Sequence, residues 1–307
     1  MFGVRSRAGA YVALCILTLA WGGNWIAMKL ALAAADPVVF NVERTWLAAA
    51  VLAAVLWWRG GPLWPSSWKA VLITGLFQTT LNFGSTTMAL AGGGAGRTSV
   101  LVFTMPFWTL LIAWPVLHQR VRGSQWLAVA FALTGLTLIV APWDWRGDIT
   151  PKLWAISSGF GWAAGTVCTK YFSRDPKFDL LSFVTWQTLI GNVPLTVLML
   201  AHSFPPTSWS VAQVLLMVYV GALSTGLGFL LWMQIVRWLP AGTASLNMFA
   251  IPVIALASSM ALFGERLSAN ETLGMACLAV GLAVITVRAL RARQPAPASV
   301  AVGGEGG

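Results

Sequence analysis

Long apolar stretches alternate with short polar links along almost the whole chain. A helix needs about 20 apolar residues to cross the hydrocarbon core of a bilayer, and ten stretches approach or exceed that length. They cover residues 9–32, 37–58, 69–91, 97–117, 123–142, 151–172, 179–201, 211–236, 240–263 and 268–289. The pattern therefore predicts an all-α integral membrane protein with ten transmembrane helices.

The links between these stretches are too short to hold a second soluble domain. Several contain turn signals, such as Asp36-Pro37, Asp175-Pro176 and Pro205-Pro206. Residues 295–307 lack the apolar side chains that would offset the entropy of ordering, so we expect a disordered cytoplasmic tail there. The first stretch has the basic start of a signal peptide, but its length favours a retained membrane helix.

The second half of the chain repeats the first. Trp21 and Lys29 recur at an offset of 141 as Trp162 and Lys170. From the third stretch on, the offset is 146 and matches Gly75 with Gly221, Leu81 with Leu227, Phe83 with Phe229, Ala95-Gly96 with Ala241-Gly242, Pro106 with Pro252, and Gly135 with Gly281. Each half holds five stretches, and an odd number turns the second half upside down in the membrane. The repeat thus predicts two inverted five-helix repeats, residues 1–146 and 147–294, around a central cavity.

Composition supports a chain surrounded by lipid. The sequence is 58% hydrophobic and only 9% charged, with a mean hydropathy of +0.76, whereas soluble proteins are about 25% charged. These proportions exclude a soluble enzyme. The three cysteines lie far apart in apolar stretches without metal-ligand spacing, so we interpret them as packing residues.

The net charge of +10 reports orientation in the membrane. Lysines and arginines stand singly or in pairs between apolar runs, so no nucleic-acid partner is expected. With the N-terminus inside, thirteen of the nineteen basic residues fall at cytoplasmic ends and four at the other side. By the positive-inside rule we expect both termini in the cytoplasm of a multi-pass protein of the inner (plasma) membrane.

Several motifs together resemble the EamA-type exporters of the drug/metabolite transporter superfamily, over about residues 9–290. The motifs are Trp21-Gly-Gly-Asn-Trp-Ile-Ala-Met-Lys29, Pro37-Val-Val-Phe40 with Arg44, Ala241-Gly-Thr-Ala-Ser245 with Pro252, and Gly264-Glu265-Arg266. The resemblance implies ten helices in two inverted halves, with helices 1, 3, 4, 6, 8 and 9 around a cavity, and export of amino acids or similar metabolites. Within the superfamily the chain resembles the bacterial aromatic amino acid exporters. One departure is His118-Gln119-Arg120, which stands in the first half where the second has Gly264-Glu265-Arg266.

Polar side chains inside the third stretch form the clearest candidate for a cavity lining. Gln78, Asn82 and Ser85 follow an i, i+4, i+7 spacing, which places them on one face of an α-helix. They could bind the ammonium and carboxylate groups of an amino acid. Hydrogen bonding between helices is an equally weighted alternative.

Tryptophans form a second candidate group. Trp21 and Trp25 in the first stretch and Trp162, with Thr166, in the sixth suit an apolar or aromatic substrate, although packing is the favoured alternative. Further polar candidates for the cavity are Asn24, Ser99, Tyr219, Ser224, Ser245 and Asn247.

Two prolines at matching repeat positions are candidate hinges. Pro106 and Pro252 each remove a helical hydrogen bond, to the carbonyls of Val102 and Met248, in the middle of a span. We favour a shared mechanical role for them.

Three charged residues lie within or near the end of the first two spans. Glu43 and Arg44 are adjacent and point in different directions, so a mutual salt bridge is not expected. A structural role is favoured for this pair, with a proton relay through Glu43 as the alternative. Lys29 lies close enough to the interface for its amine to reach water.

These patterns predict a secondary transporter that exports small amphipathic metabolites, with amino acids, and aromatic ones first, as the favoured class. Export of drugs or nucleotide-linked metabolites is the alternative, and an integral-membrane enzyme or a passive channel a distant one. His118 and His202 are the only histidines and no catalytic or nucleotide-binding motif is present, so no enzyme activity, metal or cofactor is expected. The coupling mode and the oligomeric state stay open, with a monomer as one alternative.

Overall fold

The computed structural model describes residues 6–121, 123–141, 148–238 and 250–291, and all regular secondary structure in these ranges is helical. The helices are α1 (Arg7–Ala31), α2 (Pro37–Arg59), α3 (Trp68–Gly75, Leu76–Leu81 and Asn82–Gly92), α4 (Ala95–Val102 and Met105–Leu117), α5 (Ser124–Val140), α6 (Thr150–Phe172), α7 (Leu180–Ala201), α8 (Val211–Met217, Val218–Leu227 and Gly228–Trp238), α9 (Ala250–Phe263) and α10 (Ala269–Arg291). The predicted tail at 295–307 lies outside the described residues.

The predicted all-helical class is confirmed. In the described parts of the chain, six helices are long and apolar enough to cross a membrane, namely α1, α2, α4, α7, α8 and α10. α5 and α9 are apolar but shorter, and the predicted ninth span begins before residue 250. α3 and α6 are long enough but richer in glycine and polar residues. The number of ten transmembrane helices therefore stays a prediction.

The outside of the bundle is apolar. Val211 is 79% exposed and Trp57 is 77% exposed, while Phe40 and Leu90 are completely buried between helices. A soluble protein rarely exposes large continuous apolar surfaces, but lipid tails solvate them without cost. The distribution is that of a chain whose outer surface faces lipid.

Short polar side chains and glycine fix where α2 begins and ends. Asp36 accepts a hydrogen bond of 2.8 Å from the backbone N–H of Val38, and Pro37 occupies the first turn. α2 ends at Gly60, whose φ of 66° lies in the left-handed region that favours glycine. Asp36 and Pro37, which the sequence identified as a turn signal, therefore also start α2.

Two π-helical segments interrupt α3 and α8, which the sequence did not predict. They cover Leu76–Leu81 and Val218–Leu227, and both end at residues that the offset of 146 matches. A π-helical turn widens the helix and leaves backbone carbonyls without their usual partners. The repeat is therefore visible in the backbone geometry as well as in the sequence.

α5 and α10 pack closely through reciprocal contacts. A Cβ placed on Gly135 would lie 2.6 Å from the carbonyl oxygen of Gly274, and one on Gly281 would lie 2.9 Å from that of Ala128. Gly135 and Gly281 are matched by the repeat, and so are Ala128 and Gly274. Gly135, late in α5, contacts Gly274, early in α10, while Ala128, early in α5, contacts Gly281, later in α10. The two helices therefore run antiparallel.

The same exchange of contacts relates the other helices of the two halves. A Cβ on Gly75 of α3 would lie 2.9 Å from the carbonyl oxygen of Gln187 in α7, and one on Gly221 of α8 would lie 2.9 Å from that of Arg44 in α2. α1 packs on α8 and α9, while α6 packs on α3 and α4. The first helix of each half therefore packs against the third and fourth helices of the other.

Replacing Gly135 with leucine should separate α5 from α10. The new side chain would meet backbone atoms that cannot move aside, so we expect the free energy of unfolding to fall by about 3 kcal/mol. Thermal unfolding in detergent, followed by circular dichroism, measures the effect. Ala130→Leu on the exposed face of α5 is the matched control and should change stability little. Equal stability of the two variants would contradict the close packing.

Candidate functional site

A cavity lies between the two halves and draws side chains from both. It encloses about 690 Å³ of empty space, a figure that includes open solvent at its mouth. Its walls come from the helices that the sequence predicted and, in addition, from α2. The lining residues are Trp21, Asn24, Trp25, Met28, Arg44, Asn82, Phe83, Thr86, Val102, Phe103, Met105, Trp162, Ser224, Thr225, Phe229 and Ile251.

Aromatic rings form one wall of the cavity. Phe229 packs with its ring centroid 6.4 Å from that of Trp21 and 6.0 Å from that of Trp162. The indole Nε1 of Trp21 donates a hydrogen bond of 2.9 Å to the carbonyl oxygen of Ser224. That carbonyl belongs to the π-helical segment of α8, so the irregular backbone orients the ring. Ser224 thus takes part through its backbone carbonyl as well as lining the cavity.

Two asparagines supply amide groups to the cavity. Asn82 donates its Nδ2–H to the carbonyl oxygen and to Oγ of Ser158, both at 2.9 Å, and Thr86 Oγ1 lies 2.7 Å from the same Oγ. Asn82 therefore lines the cavity and also joins α3 to α6 by hydrogen bonds. Its binding of a solute stays a prediction. The Oδ1 atom of Asn24 is buried and has no hydrogen-bond partner among the described residues.

The spacing of the other two α3 candidates did not place them at the cavity. Gln78 is buried against Gly165 of α6, and Ser85 is buried with its hydroxyl unpaired within the described chain. The i, i+4, i+7 count assumed α-helical turns, but Gln78 lies inside the π-helical segment Leu76–Leu81. A wider turn rotates the residues before it onto another face.

Three further candidates lie outside the cavity. Ser99 donates to the carbonyl of Gly96 at 2.7 Å, and exposed Thr166 donates to the carbonyl of Trp162 at 2.8 Å. Tyr219 donates its hydroxyl to the carbonyl of Ala20 in α1 at 2.7 Å. All three hydroxyls thus satisfy backbone carbonyls. The candidates Ser245 and Asn247 lie outside the described residues.

The helix around Pro106 is interrupted as the proline predicts. α4 breaks at residues 103–104 and resumes at Met105, with Pro106 in its first turn. A Cβ on Gly159 of α6 would lie 2.8 Å from the carbonyl oxygen of Val102, so α6 packs directly on the break. Pro252 lies near the described start of α9, and its partner Met248 lies outside the described residues. The hinge role of both prolines stays a prediction.

Arg44 is the charged member of the cavity. It is 3% exposed, and its Nε and Nη2 donate to Oδ1 of Asn41 at 3.1 and 2.9 Å. Its guanidinium carbon lies 4.7 Å from the ring centroid of Phe83. No carboxylate of the described residues pairs with it, and the expectation that it does not bridge to Glu43 agrees with the ion pairs in this part of the chain.

The other two charged candidates lie away from the cavity lining. Glu43 accepts a hydrogen bond of 2.8 Å from the hydroxyl of Thr207, in the link after α7. Lys29 donates its amine to the carbonyl oxygens of Leu90 and Gly93, at 2.6 and 2.8 Å, and so stabilises the end of α3. The sequence predicted that the Lys29 amine reaches water at the interface. In the structure it binds the carbonyl groups at the end of α3.

Glu265 joins the two halves at one end of the bundle and was missed as a site residue. Its carboxylate accepts hydrogen bonds from the backbone N–H groups of Gly96 and Arg97, at 3.1 and 3.0 Å, and from the hydroxyl of Ser259. Arg97 also forms ion pairs with Glu265 and Glu271, at 3.4 and 3.1 Å. A carboxylate at the N-terminus of α4 is stabilised by the helix dipole. The unmatched Glu265 in the second half was the signal that could have identified it.

A helical membrane bundle with repeated halves and a solute-sized cavity between them is the fold and site of a membrane transporter. The chain belongs to the EamA-like transporter family, whose pattern matches residues 8–141 and 150–287 separately. The predicted family is thereby confirmed, together with its two repeats.

Relatives of known sequence share nearly the full length. The uncharacterized transporter YoaV of Bacillus subtilis is 25% identical over 272 residues, which cover 87% of this chain and 92% of the relative. A probable amino-acid metabolite efflux pump of Salmonella typhimurium is 26% identical over 309 residues, covering 96% and 99%. A solved crystal structure shares the fold with a TM-score of 0.63 at 20% identity, over 94% of this chain and 100% of the other. The names of the two relatives describe a transporter and an efflux pump.

Removing the Glu265 carboxylate should loosen the end of the bundle at which it caps α4. In a cysteine-free background with Thr98→Cys as the reporter, we expect Glu265→Ala to accelerate labelling by a membrane-impermeant maleimide roughly tenfold, because charge-assisted hydrogen bonds between the halves are lost. Thr98 is only 3% exposed in the intact protein. Asp175→Ala is the control, since Asp175 accepts a hydrogen bond of 2.9 Å from the backbone N–H of Lys177 in the link after α6. Equal labelling of both variants would show that Glu265 does not hold this end closed.

Proposed function

We propose that this transporter exports amphipathic amino acids, with aromatic ones favoured, from the cytoplasm across the inner membrane. The observation that carries the proposal is the cavity, which is lined both by the rings of Trp21, Trp162 and Phe229 and by the polar residues Asn24, Asn82 and Arg44. An aromatic wall binds an apolar side chain, and the polar groups bind the charged groups of an amino acid.

The proposed mechanism is alternating access between two inverted halves, residues 1–146 and 147–294. The antiparallel packing of α5 on α10 through Gly135 and Gly281 supports inversion, because matched helices of parallel repeats would run in the same direction. In this mechanism ten spans place both termini in the cytoplasm, and the halves rock around the cavity. The Glu265 contact with α4 closes the outer end and breaks when that end opens.

The amino-acid assignment is supported by the printed name of the Salmonella typhimurium relative, an amino-acid metabolite efflux pump. The preference for aromatic side chains is inferred from the rings of Trp21, Trp162 and Phe229 in the cavity. If no amino acid is carried, export of drugs or nucleotide-linked metabolites is the alternative within the superfamily.

For the coupling mode we propose exchange or facilitated diffusion. No acidic side chain lines the cavity within the described parts of the chain, so a proton-binding group in contact with the solute is missing there. Glu43, the candidate relay, hydrogen-bonds to Thr207 instead. Proton coupling through Glu43 is the competing hypothesis.

Counterflow in liposomes tests the function directly. Purified protein is reconstituted, and exchange of twenty labelled amino acids is measured with and without a pH gradient. We expect exchange of tryptophan, phenylalanine and tyrosine at rates that the gradient does not change. Failure across the whole panel would overturn the amino-acid assignment. Rates that follow the gradient in the wild type but not in Glu43→Gln would favour the proton relay.

Shortening one ring of the aromatic wall should affect aromatic solutes selectively. We expect Trp162→Ala to weaken the apparent affinity for phenylalanine roughly tenfold and that for serine little, because only the aromatic solute loses ring contacts. Competition in the counterflow assay measures both. Trp57→Ala, at the exposed end of α2, is the control and should change neither. An equal loss for serine and phenylalanine would contradict a ring-binding role.

A further inference from the structure

We propose that Arg44 is the anion subsite of the cavity and binds the carboxylate of the transported solute. The proposal rests on the proposed function and narrows its substrate class to carboxylates with an apolar or aromatic body. In such solutes the carboxylate is required, and an ammonium group is secondary.

Arg44 carries a buried charge without a counter-ion among the described residues. Arg44 lines the cavity and is 3% exposed. Within the described residues no carboxylate oxygen lies within 4.0 Å of its guanidinium nitrogens. A buried charge without a partner is costly, and inside a membrane protein it marks a substrate path or a binding site. An anionic solute group in the cavity would supply the missing charge.

The guanidinium group of Arg44 keeps hydrogen-bond donors that have no strong acceptor among the described residues. Nε and Nη2 of Arg44 share the single Oδ1 acceptor of Asn41, while Nη1 reaches only the Sδ of Met28 at 3.3 Å. A thioether sulfur is a weak acceptor. The end of the guanidinium fork therefore keeps N–H donors on Nη1 and Nη2 without an oxygen acceptor in the described structure. This pair of donors is the geometry that binds a carboxylate through both oxygens.

Two aromatic rings fix the position of the Arg44 guanidinium group. Its carbon lies 4.7 Å from the ring centroid of Phe83 and 5.9 Å from that of Phe40. Cation–π contacts of this kind hold the guanidinium plane without neutralising its charge. The charge is thus presented at a defined place on the cavity wall.

The two halves place different side chains around the cavity. Phe229 matches Phe83 at the offset of 146, but its ring packs on Trp21 and Trp162 instead of on a charge. α7, the counterpart of α2, contains no charged residue. The cavity therefore has one cationic region and one aromatic region. A solute with one carboxylate and one apolar body complements both.

The cavity recognises the carboxylate of an amino acid more strongly than its ammonium group. Asn24 lies one turn before Met28 on the same face of α1, and its buried Oδ1 has no donor among the described residues. That oxygen can accept a hydrogen bond from an ammonium group, but a neutral amide does not balance its charge. Since no acid lines this cavity within the described chain, the carboxylate dominates recognition.

Four ligands that differ only in their charged groups test the subsite. Phenylalanine, 3-phenylpropionate, phenylalaninamide and phenethylamine are titrated into the purified full chain in detergent by isothermal titration calorimetry. We expect the two carboxylates to bind roughly 10- to 100-fold more tightly than the two compounds without one, because only they carry the negative charge that neutralises Arg44 through two hydrogen bonds. A preference near unity in the wild type would overturn the proposal.

Arg44→Gln should abolish this preference and Arg44→Lys should retain part of it, since lysine keeps the charge but not the bidentate fork. The preference is a ratio of affinities within one preparation, so it does not depend on how much of a variant folds. Arg59→Gln is the matched control, because Arg59 lies on the same helix but pairs with Asp179 away from the cavity. A preference that persists in Arg44→Gln would overturn the subsite.

The outcomes separate the subsite from the proposed function. If 3-phenylpropionate binds in an Arg44-dependent manner but no amino acid is exchanged in liposomes, the subsite stands and the amino-acid assignment fails. If phenylalanine is exchanged with unchanged preference in Arg44→Gln, the function stands and the subsite fails. Binding of none of the four ligands would also overturn the subsite.

Discussion

The hydrocarbon core of a membrane offers no hydrogen bonds, and this constraint organises the contacts between the halves of the molecule. Polar groups inside the bundle must find partners within the chain. Lys29 therefore caps the carbonyls at the end of α3, Glu265 caps the N–H groups at the start of α4, and Trp21 bonds to a carbonyl of the π-helical part of α8. Two of these three contacts cross from one half to the other. The cavity is lined by Asn24, whose buried Oδ1 has no partner among the described residues, and by Arg44, which forms no ion pair there.

Glycines let the halves approach closely enough for those contacts. Without a hydrophobic effect between helices in lipid, association depends on close packing. The reciprocal pairs at Gly135 and Gly281 bring α5 and α10 into backbone contact, at a distance from the cavity. The cavity with its aromatic wall lies between the same two halves. In the proposed mechanism the close contact of α5 with α10 stays fixed while the cavity changes shape.

The repeat supplies a symmetric scaffold, whereas the chemistry is placed on one side of it. Phe83 supports a guanidinium while its counterpart Phe229 packs on indoles. Glu265 caps a helix, and its counterpart in the first half is the exposed Gln119. In the proposed mechanism the matched helices exchange between two arrangements, and the unmatched side chains decide which solute is bound. On that proposal, substrate recognition depends on the departures from the repeat.

The sequence by itself determined the helical membrane class, the family and the register of the repeat, because apolar length and constant spacing are local properties. It also placed Trp21, Trp162 and Asn82 at the cavity. Tertiary structure alone decided which other polar residues reach it. Gln78 packs against Gly165 of α6 from within a π-helical segment that the spacing did not predict. Arg44 forms no ion pair among the described residues although Glu43 is its neighbour in sequence, and the Glu43 carboxylate accepts a hydrogen bond from Thr207. A spacing rule describes one helix, but the burial of a charge depends on everything packed around it.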